Sequence, residues 1–247
     1  MASKIADKIE ITFFVPCYNE EKNISNTLDA IKTASKNVRY EVLVVDDGSI
    51  DNTLRTIKNY IAINKQTNIK LILNKKNYGL GFSYFKHSIS AIGKYYMLVN
   101  GDNVEPALTI KKIIKHRGQA DMIIPYFDSN DRRNLARKIL SFVFTKIVNI
   151  LSFTNVKYYN GPVLHLTENV KTFRSVTFGY GYQAELICKL ISLKYSYINI
   201  PVANTDRQFG TTKAFSYKNF FSVANSLIII SINTLTSFLR KVFRYEN

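Results

Sequence analysis

The sequence predicts an α/β protein built on a doubly wound, mostly parallel sheet. Two observations predict it: the first half alternates short β-branched apolar runs with segments of helical period, and polar residues gather where the apolar runs end. The 247 residues, 46% of them hydrophobic, suffice for one sizeable core with an appended element. Strands are expected at Ile11 to Val15, Glu41 to Val45, Lys70 to Leu73, Tyr96 to Val99 and Met122 to Ile124. Helices are expected from Glu21 to Ser35, Asn52 to Ile63, Phe82 to Ile92 and Pro106 to Lys115, the last with proline in its first turn, where a missing N–H costs least. Further on, Leu135 to Phe153 and Gly181 to Leu193 read as amphipathic helices and Ser196 to Val202 as a strand. No linker-like stretch intervenes, so residues 1–215 are expected to form one domain and residues 216–247 an amphipathic helical tail. Phe220 to Leu239 lacks charge but is interrupted by Ser222, Asn225, Ser231 and Thr234 among others, and Arg240, Lys241 and Arg244 follow. That pattern suits a helix at a membrane surface, or one covering a partner copy or the core, better than a transmembrane span.

In such sheets the ligand site lies outside the carboxyl ends of the strands, here Pro16 to Glu20, Asp46 to Ser49, Asn74 to Gly81 and Asn100 to Asn103. The 34 Lys and Arg against 18 Asp and Glu leave a formal charge of +16, which favours anionic partners: phosphorylated substrates, an anionic membrane or nucleic acid. Nothing but charge points to nucleic acid, and the aromatic residues read as core and membrane interface, so no nucleic-acid partner is expected. Only Cys17 and Cys188 occur, without metal-ligand spacing around either, so neither a disulfide framework nor a zinc site is suggested. With no signal-peptide pattern in Met1 to Lys8, the expectation is a cytoplasmic protein. His87, His116 and His165 stand at neither nucleophile nor metal spacing and read as structural.

The most specific motifs are Phe14-Val-Pro-Cys-Tyr-Asn-Glu-Glu and, one βα unit later, Val44-Val-Asp-Asp-Gly-Ser-Ile-Asp-Asn-Thr. Pro16 stops the first strand, Tyr18 offers a flat face to a base, and Glu20 supplies an acceptor near the helix start. Asp46 and Asp47 end an apolar strand where a carboxylate can meet a base edge or a ribose hydroxyl; alternatively they and Asp51 make an Asx turn and helix cap. Motif type, order and spacing resemble those of a family 2 glycosyltransferase, whose sheet is the nucleotide-binding half of the GT-A fold. The resemblance, which runs from about residue 11 to 215, implies that Asp47 contacts the nucleoside of a UDP- or GDP-sugar. It also implies that Gly79, in Asn77-Tyr-Gly-Leu-Gly, allows close backbone approach to phosphate at a helix N-terminus. Asn100-Gly101-Asp102 stands where the family has its Asp-x-Asp metal motif. The resemblance therefore implies Mg or Mn, with Asn100 a weaker ligand than the usual carboxylate and Asp102 the remaining one. Glu105 either adds a ligand or complements the next helix dipole.

The same resemblance extends to synthases of dolichyl- or polyprenyl-phosphate sugars. Their Ser-Arg pair is absent around Asp121-Met-Ile-Ile-Pro-Tyr, but Arg137 and Ser141 keep an Arg-x-x-x-Ser spacing that in those relatives meets the acceptor phosphate. The residue-level alternative is a basic, solvated helix face with Arg132, Arg133 and Lys138. Gln183 and Glu185, in Tyr182-Gln-Ala-Glu-Leu, and Arg207 and Lys213, around a glycine loop, resemble the family's terminal signature. Gln183 and Glu185 are thereby expected on the acceptor side. Arg207 and Lys213 would clamp the diphosphate and join Asp102 in stabilising the leaving group. The implied activity is an inverting transfer to a polyprenyl phosphate at the cytoplasmic face of a membrane. An anionic phosphate needs no strong general base; a saccharide acceptor would, with Glu185 or Asp206 as candidates. A saccharide acceptor in cell-surface polysaccharide synthesis and a nucleotide-sugar-binding pseudoenzyme are the alternatives, and self-association through the tail is a further expectation. Neither tryptophan nor a Gln-x-x-Arg-Trp motif of processive synthases occurs.

Overall fold

The computed structural model describes residues 8–65, 68–128, 131, 133, 135–173, 179, 181–205 and 217–242. In chain order the elements are β1 (Ile11–Cys17), α1 (Ile24–Ala34), β2 (Tyr40–Asp46), α2 (Thr53–Ile63), β3 (Ile69–Leu73), α3 (Leu80–Ser88), β4 (Tyr95–Leu98), α4 (Ala107–Lys115), β5 (Met122–Phe127), α5 (Leu135–Ser152), β6 (Leu164–Leu166), α6 (Thr167–Thr172), α7 (Tyr182–Ser192), β7 (Tyr197–Val202) and α8 (Tyr217–Val242). One sheet takes them in the order β3-β2-β1-β4-β6-β5-β7. All neighbours are parallel except β6, which runs antiparallel between β4 and β5.

The central strands are buried on both faces, as a parallel sheet requires when helices cover each side. Phe13 and Val15 of β1, Val42 and Val44 of β2 and Met97 of β4 join Ile24, Ile31, Ile57, Ile110 and Ile113 in a core under α1, α2 and α4. The alternate residues Phe14, Leu43, Val45, Tyr96 and Leu98 join Tyr84, Val148, Val170, Leu186 and Ile230 under α3, α5, α6, α7 and α8. The period of two thus assigns each strand residue to one core or the other.

The expected strands and helices match within a few residues, and two elements were not foreseen: the three-residue β6 that begins two residues after Pro162, and the short α6. Helix α3 shifts at both ends, ending at Ser88 rather than Ile92 and beginning at Leu80 rather than Phe82, where Gly79 takes φ 92° and its N–H is held by the distant Asp47 carboxylate at 2.8 Å. The tail is a single 26-residue helix laid against α5 and α7, with Ser226 and Ile230 buried there. Among the described residues no helix is long and apolar enough to cross a membrane.

Candidate active site

The carboxyl ends of β1, β2 and β4 form the site, and the first two loops are locked to each other. Asn19, at φ 59°, accepts from Ile50 N at 2.9 Å, and its own N–H donates to Ser49 Oγ at 3.0 Å. Asp51 accepts from Thr53 N at 2.9 Å and Glu21 N at 3.2 Å, so it caps α2 while holding the opposite loop. Glu20 is buried, its N–H on Thr53 Oγ1 and its carboxylate accepting from Asn23 Nδ2 at 2.8 Å. Pro16 and Tyr18 flank the mouth, both half-buried. The two motifs recognised in the sequence are therefore one hydrogen-bonded unit.

The paired aspartates divide their work. Asp47 is buried and accepts from Asn74 Nδ2 at 2.7 Å, Gly79 N at 2.8 Å, Tyr78 N at 3.1 Å and Ser83 Oγ at 3.3 Å. Both its oxygens are committed to pinning the 74–79 loop and the start of α3. Asp46 accepts from Ser49 N through Oδ1 at 2.9 Å, and among the described residues no donor is assigned to its Oδ2. Gly48, at φ +76°, lets the chain pass the loop so closely that an added Cβ would lie 2.8 Å from backbone atoms of Lys76.

Gly101 donates to Pro16 O at 3.2 Å, and an added Cβ would sit 2.8 Å from that oxygen and 2.9 Å from Cys17 Sγ. Only glycine lets the Asn100–Asp102 turn lie against β1. Asn100 donates from its backbone N to Glu105 Oε2 at 3.1 Å and from Nδ2 to Glu105 Oε1 at 2.9 Å. Burial, with the Asp102 charge beside it, pushes the Glu105 carboxyl up to about 8. Glu105 thus orients Asn100, a role unassigned from the sequence, where it read as a ligand or a helix-dipole acid. Burial raises the Cys17 thiol well above its usual range, and the charges of Glu20, Asp46, Asp102 and Asp51 raise it further. The charges of four carboxylates therefore reach the Cys17 thiol, a negative field that favours a cation nearby.

Among the described residues no group of three His, Cys, Asp or Glu side chains forms a metal site by itself. The donor set still fits Mg or Mn, because such ions commonly take one or two protein carboxylates and complete their shell with substrate phosphate oxygens and water. Asp102 would supply the carboxylate, and the amide oxygen of Asn100, whose NH2 is held by Glu105, would be the weaker second donor.

On the β5 side, Arg133 lies between aromatic rings, its Cζ 4.7 Å from the Phe127 centroid and 5.0 Å from that of Tyr158. Its Nε and Nη2 donate to Asp131, Nη2 at 2.7 Å, and its Nη1 donates to Tyr158 OH at 2.8 Å and Ser141 Oγ at 3.0 Å. Although burial raises it, the Asp131 carboxyl is held at about 2 by hydrogen bonds from Arg133 and Asn204. The expected Ser141 thus belongs to a cluster with Arg133 and Tyr158, and Arg137 stands close enough for its charge to act on Tyr158. Sequence reasoning placed Arg133 on a solvated face; the missed signal is Asp131, two residues earlier, able to pair with it. Gln183 is buried behind the cluster, its Nε2 donating to Tyr159 O at 2.6 Å and Gly161 O at 2.7 Å. Glu185 is buried against α8, accepting from Ser226 Oγ at 2.7 Å.

Arg207, Lys213 and Asp206 lie outside the described residues. The segment leading to them is tied to the metal-motif loop: Thr205 N donates to Val104 O at 3.2 Å, and Asn204 Nδ2 to Asp131 Oδ1 at 3.0 Å.

A GT-A sheet with this loop set defines a nucleotide-sugar glycosyltransferase. The chain belongs to glycosyl transferase family 2, whose model matches residues 12–182. A dolichyl-phosphate beta-glucosyltransferase of Dictyostelium discoideum is 27% identical over 170 residues, 61% of this chain and 52% of its own length. CsbB of Bacillus subtilis (strain 168) is 24% identical over 217 residues, 86% of this chain and 64% of its own length. The chain therefore spans between half and two thirds of these curated relatives. Among solved structures, glucosyl-3-phosphoglycerate synthase from Mycobacterium tuberculosis in complex with UDP superposes with a TM-score of 0.70 at 13% identity, covering 90% of this chain and 80% of that one. The same synthase with Mn2+, UDP and glucosyl-3-phosphoglycerate gives 0.63 at 14%, over 94% and 79%. S. aureus TarS 1-349 in complex with UDP-GlcNAc gives 0.63 at 20%, over 90% and 66%. At such identities the solved structures bear on the fold.

Proposed function

We propose that this glycosyltransferase moves a sugar, with inversion, from a UDP- or GDP-sugar to a polyprenyl phosphate at an anionic membrane surface. The observation that carries the reading is the position of the Arg137 and Ser141 pair on α5. Beside it that helix exposes Ile139, Leu140, Phe142 and Val143 and, further along, Ile150, with Phe153 just past its end, the last two 71% and 86% accessible. On α8, which packs on α5, Ile228, Ile232 and Leu235 are exposed as well. A phosphate held at Arg137 and Ser141 would leave its hydrocarbon chain along this apolar surface, and a chain of net charge +16 favours an anionic bilayer there. The similarity to a dolichyl-phosphate beta-glucosyltransferase supports the same acceptor class.

In this reading the loops around Asp46 and Tyr18 hold the nucleoside, with Asp47 and Gly79 shaping the pocket from behind. Asp102 and Asn100 would hold Mg or Mn, which when bound neutralises the diphosphate. Arg207 and Lys213 would add positive charge as the nucleoside diphosphate leaves. A phosphate acceptor is already anionic, so no general base is required; the engagement of Glu185 with Ser226 speaks against that residue serving as one for a saccharide.

The test is nucleoside-diphosphate release from a panel of UDP- and GDP-sugars, with Mg, Mn or EDTA, with and without a short polyprenyl phosphate. Release that needs one donor, the lipid phosphate and a divalent ion supports the reading. Turnover on a saccharide alone refutes the acceptor class. Phe142→Ser with Ile150→Ser should weaken binding to phosphatidylglycerol vesicles without unfolding; unchanged vesicle binding, or a dimer that dissociates in the variant, removes the membrane from the reading.

A further inference from the structure

We infer that Tyr158 is a further acceptor-binding residue, presenting its hydroxyl as a donor to the anion beside Arg137, and that the Asp131 and Arg133 pair positions it. The inference rests on the reading that an anionic acceptor docks at Arg137 and Ser141. It differs from that reading in naming residues that neither the motif nor the comparisons single out.

The argument begins with proton accounting. A guanidinium has only donors, and four N–H groups of Arg133 are in use: two toward Asp131, one to Ser141 Oγ and one to Tyr158 OH. Each hydroxyl oxygen therefore already accepts, and neither proton can return to Arg133. Between them the two hydroxyls own two protons, and only one can be shared from one oxygen to the other. At least one must point onward. One acceptor inside the protein is within reach, the Arg137 carbonyl one turn before Ser141, and we take the Tyr158 proton as the one offered to the anion.

Its geometry is fixed from several directions. The Arg133 and Asp131 side chains are 11% and 10% exposed, so the pair is largely removed from water and neutralises its own charge. The Tyr158 ring packs 5.1 Å from Phe127, and Arg133 lies against both rings. Behind them Gln183 holds the carbonyls of Tyr159 and Gly161. Asn204, donating to Asp131, ties the cluster to the segment that leads toward Arg207. Such an arrangement gives orientation at little cost of reorganisation when a ligand arrives.

The experiment is calorimetric titration of the 247-residue chain with farnesyl phosphate, farnesol and UDP, for the unmodified protein, Tyr158→Phe and Arg133→Lys. Tyr158→Phe removes one hydroxyl, so the dissociation constant for farnesyl phosphate should rise about tenfold, the worth of one hydrogen bond to a charged group. Affinity for UDP should stay as in the unmodified protein, while the melting temperature falls by a few degrees because Arg133 Nη1 loses one acceptor. Arg133→Lys keeps the charge but cannot span Asp131, Ser141 and Tyr158 together, and should weaken farnesyl phosphate similarly. Equal affinity in Tyr158→Phe, equal affinity for farnesol and its phosphate, or no binding of farnesyl phosphate by a chain that binds UDP would each overturn the inference. Tyr158-dependent binding without sugar transfer would sink the transferase reading and leave this site standing. Transfer undiminished by Tyr158→Phe would do the reverse.

Discussion

Replacing Asp47 by Asn separates a residue that touches the nucleoside from one that builds the pocket. In the structure Oδ2 accepts from Gly79 N, while Oδ1 accepts from Asn74, Tyr78 N and Ser83. Asparagine has one acceptor oxygen, so its NH2 must face either the Gly79 N–H or the three donors opposite. The arrangement with NH2 toward Gly79 loses least: one charge-assisted bond, worth about 1.5–3 kcal/mol, and the charge that strengthens the others. A total loss of about 2–4 kcal/mol is expected, or a fall of roughly 5–15 °C in melting temperature for a chain of this size. Because the loop then loosens, the donor KM should rise in parallel. Asp46→Asn disturbs only the bond from Ser49 N, and should cost under about 1 kcal/mol while raising the donor KM at least as much. Urea titration and donor kinetics on both variants decide the matter. If Asp47→Asn keeps full stability yet loses donor affinity, Asp47 contacts the nucleoside directly and its assignment to the loop is wrong.

Three further outcomes are expected. Gly101→Ala should fold but lose at least about tenfold in kcat/KM, since its Cβ would press on Pro16 O and Cys17 Sγ and move Asp102; activity like that of the unmodified enzyme would show the turn to be adaptable. Asn100→Asp adds a second carboxylate near Asp102, whose charge already helps push the Glu105 carboxyl up to about 8, so the variant should melt lower without cations and recover with Mn2+; a melting curve indifferent to Mn2+ argues against a cation at Asp102. His165 is fully buried with neither ring nitrogen hydrogen bonded among the described residues, and burial lowers it to about 3. The unfolded chain protonates it near pH 6.5 while the folded one keeps it neutral. Its contribution is thus complete above about pH 6.5 and is lost toward pH 3, by up to about 1.4 kcal/mol per pH unit. His165→Leu should flatten the stability profile between pH 6 and pH 4, and an unchanged slope in urea titrations would refute this.

The parts legible in the sequence were those that local pattern encodes. Strands such as Glu41 to Val45 are continuous apolar runs bounded by polar turns, and the loops at their ends carry motifs of fixed order and spacing, so both the GT-A sheet and its binding edge could be placed. Glu105 shows where this stops: its spacing suits a metal ligand, and only the fold turns its carboxylate onto both N–H donors of Asn100. Arg133 shows the opposite failure: its pairing with Asp131, two residues away, was within reach of local reading, whereas its bond to Tyr158 depends on a turn twenty-five residues away. The antiparallel β6 escaped because three residues carry no readable period.

Sequence alone determined the fold class, the family resemblance and the list of residues at the strand ends, because hydrophobic period and turn chemistry act between near neighbours. Tertiary structure decided which donors and surfaces each side chain meets. Asp47 accepts from the backbone of Tyr78 and Gly79 while Asp46 accepts from Ser49 N, and α8 lies along α5 with apolar residues of both left exposed. Those outcomes depend on which donors and surfaces arrive from distant parts of the chain, and side-chain direction follows from packing rather than from spacing.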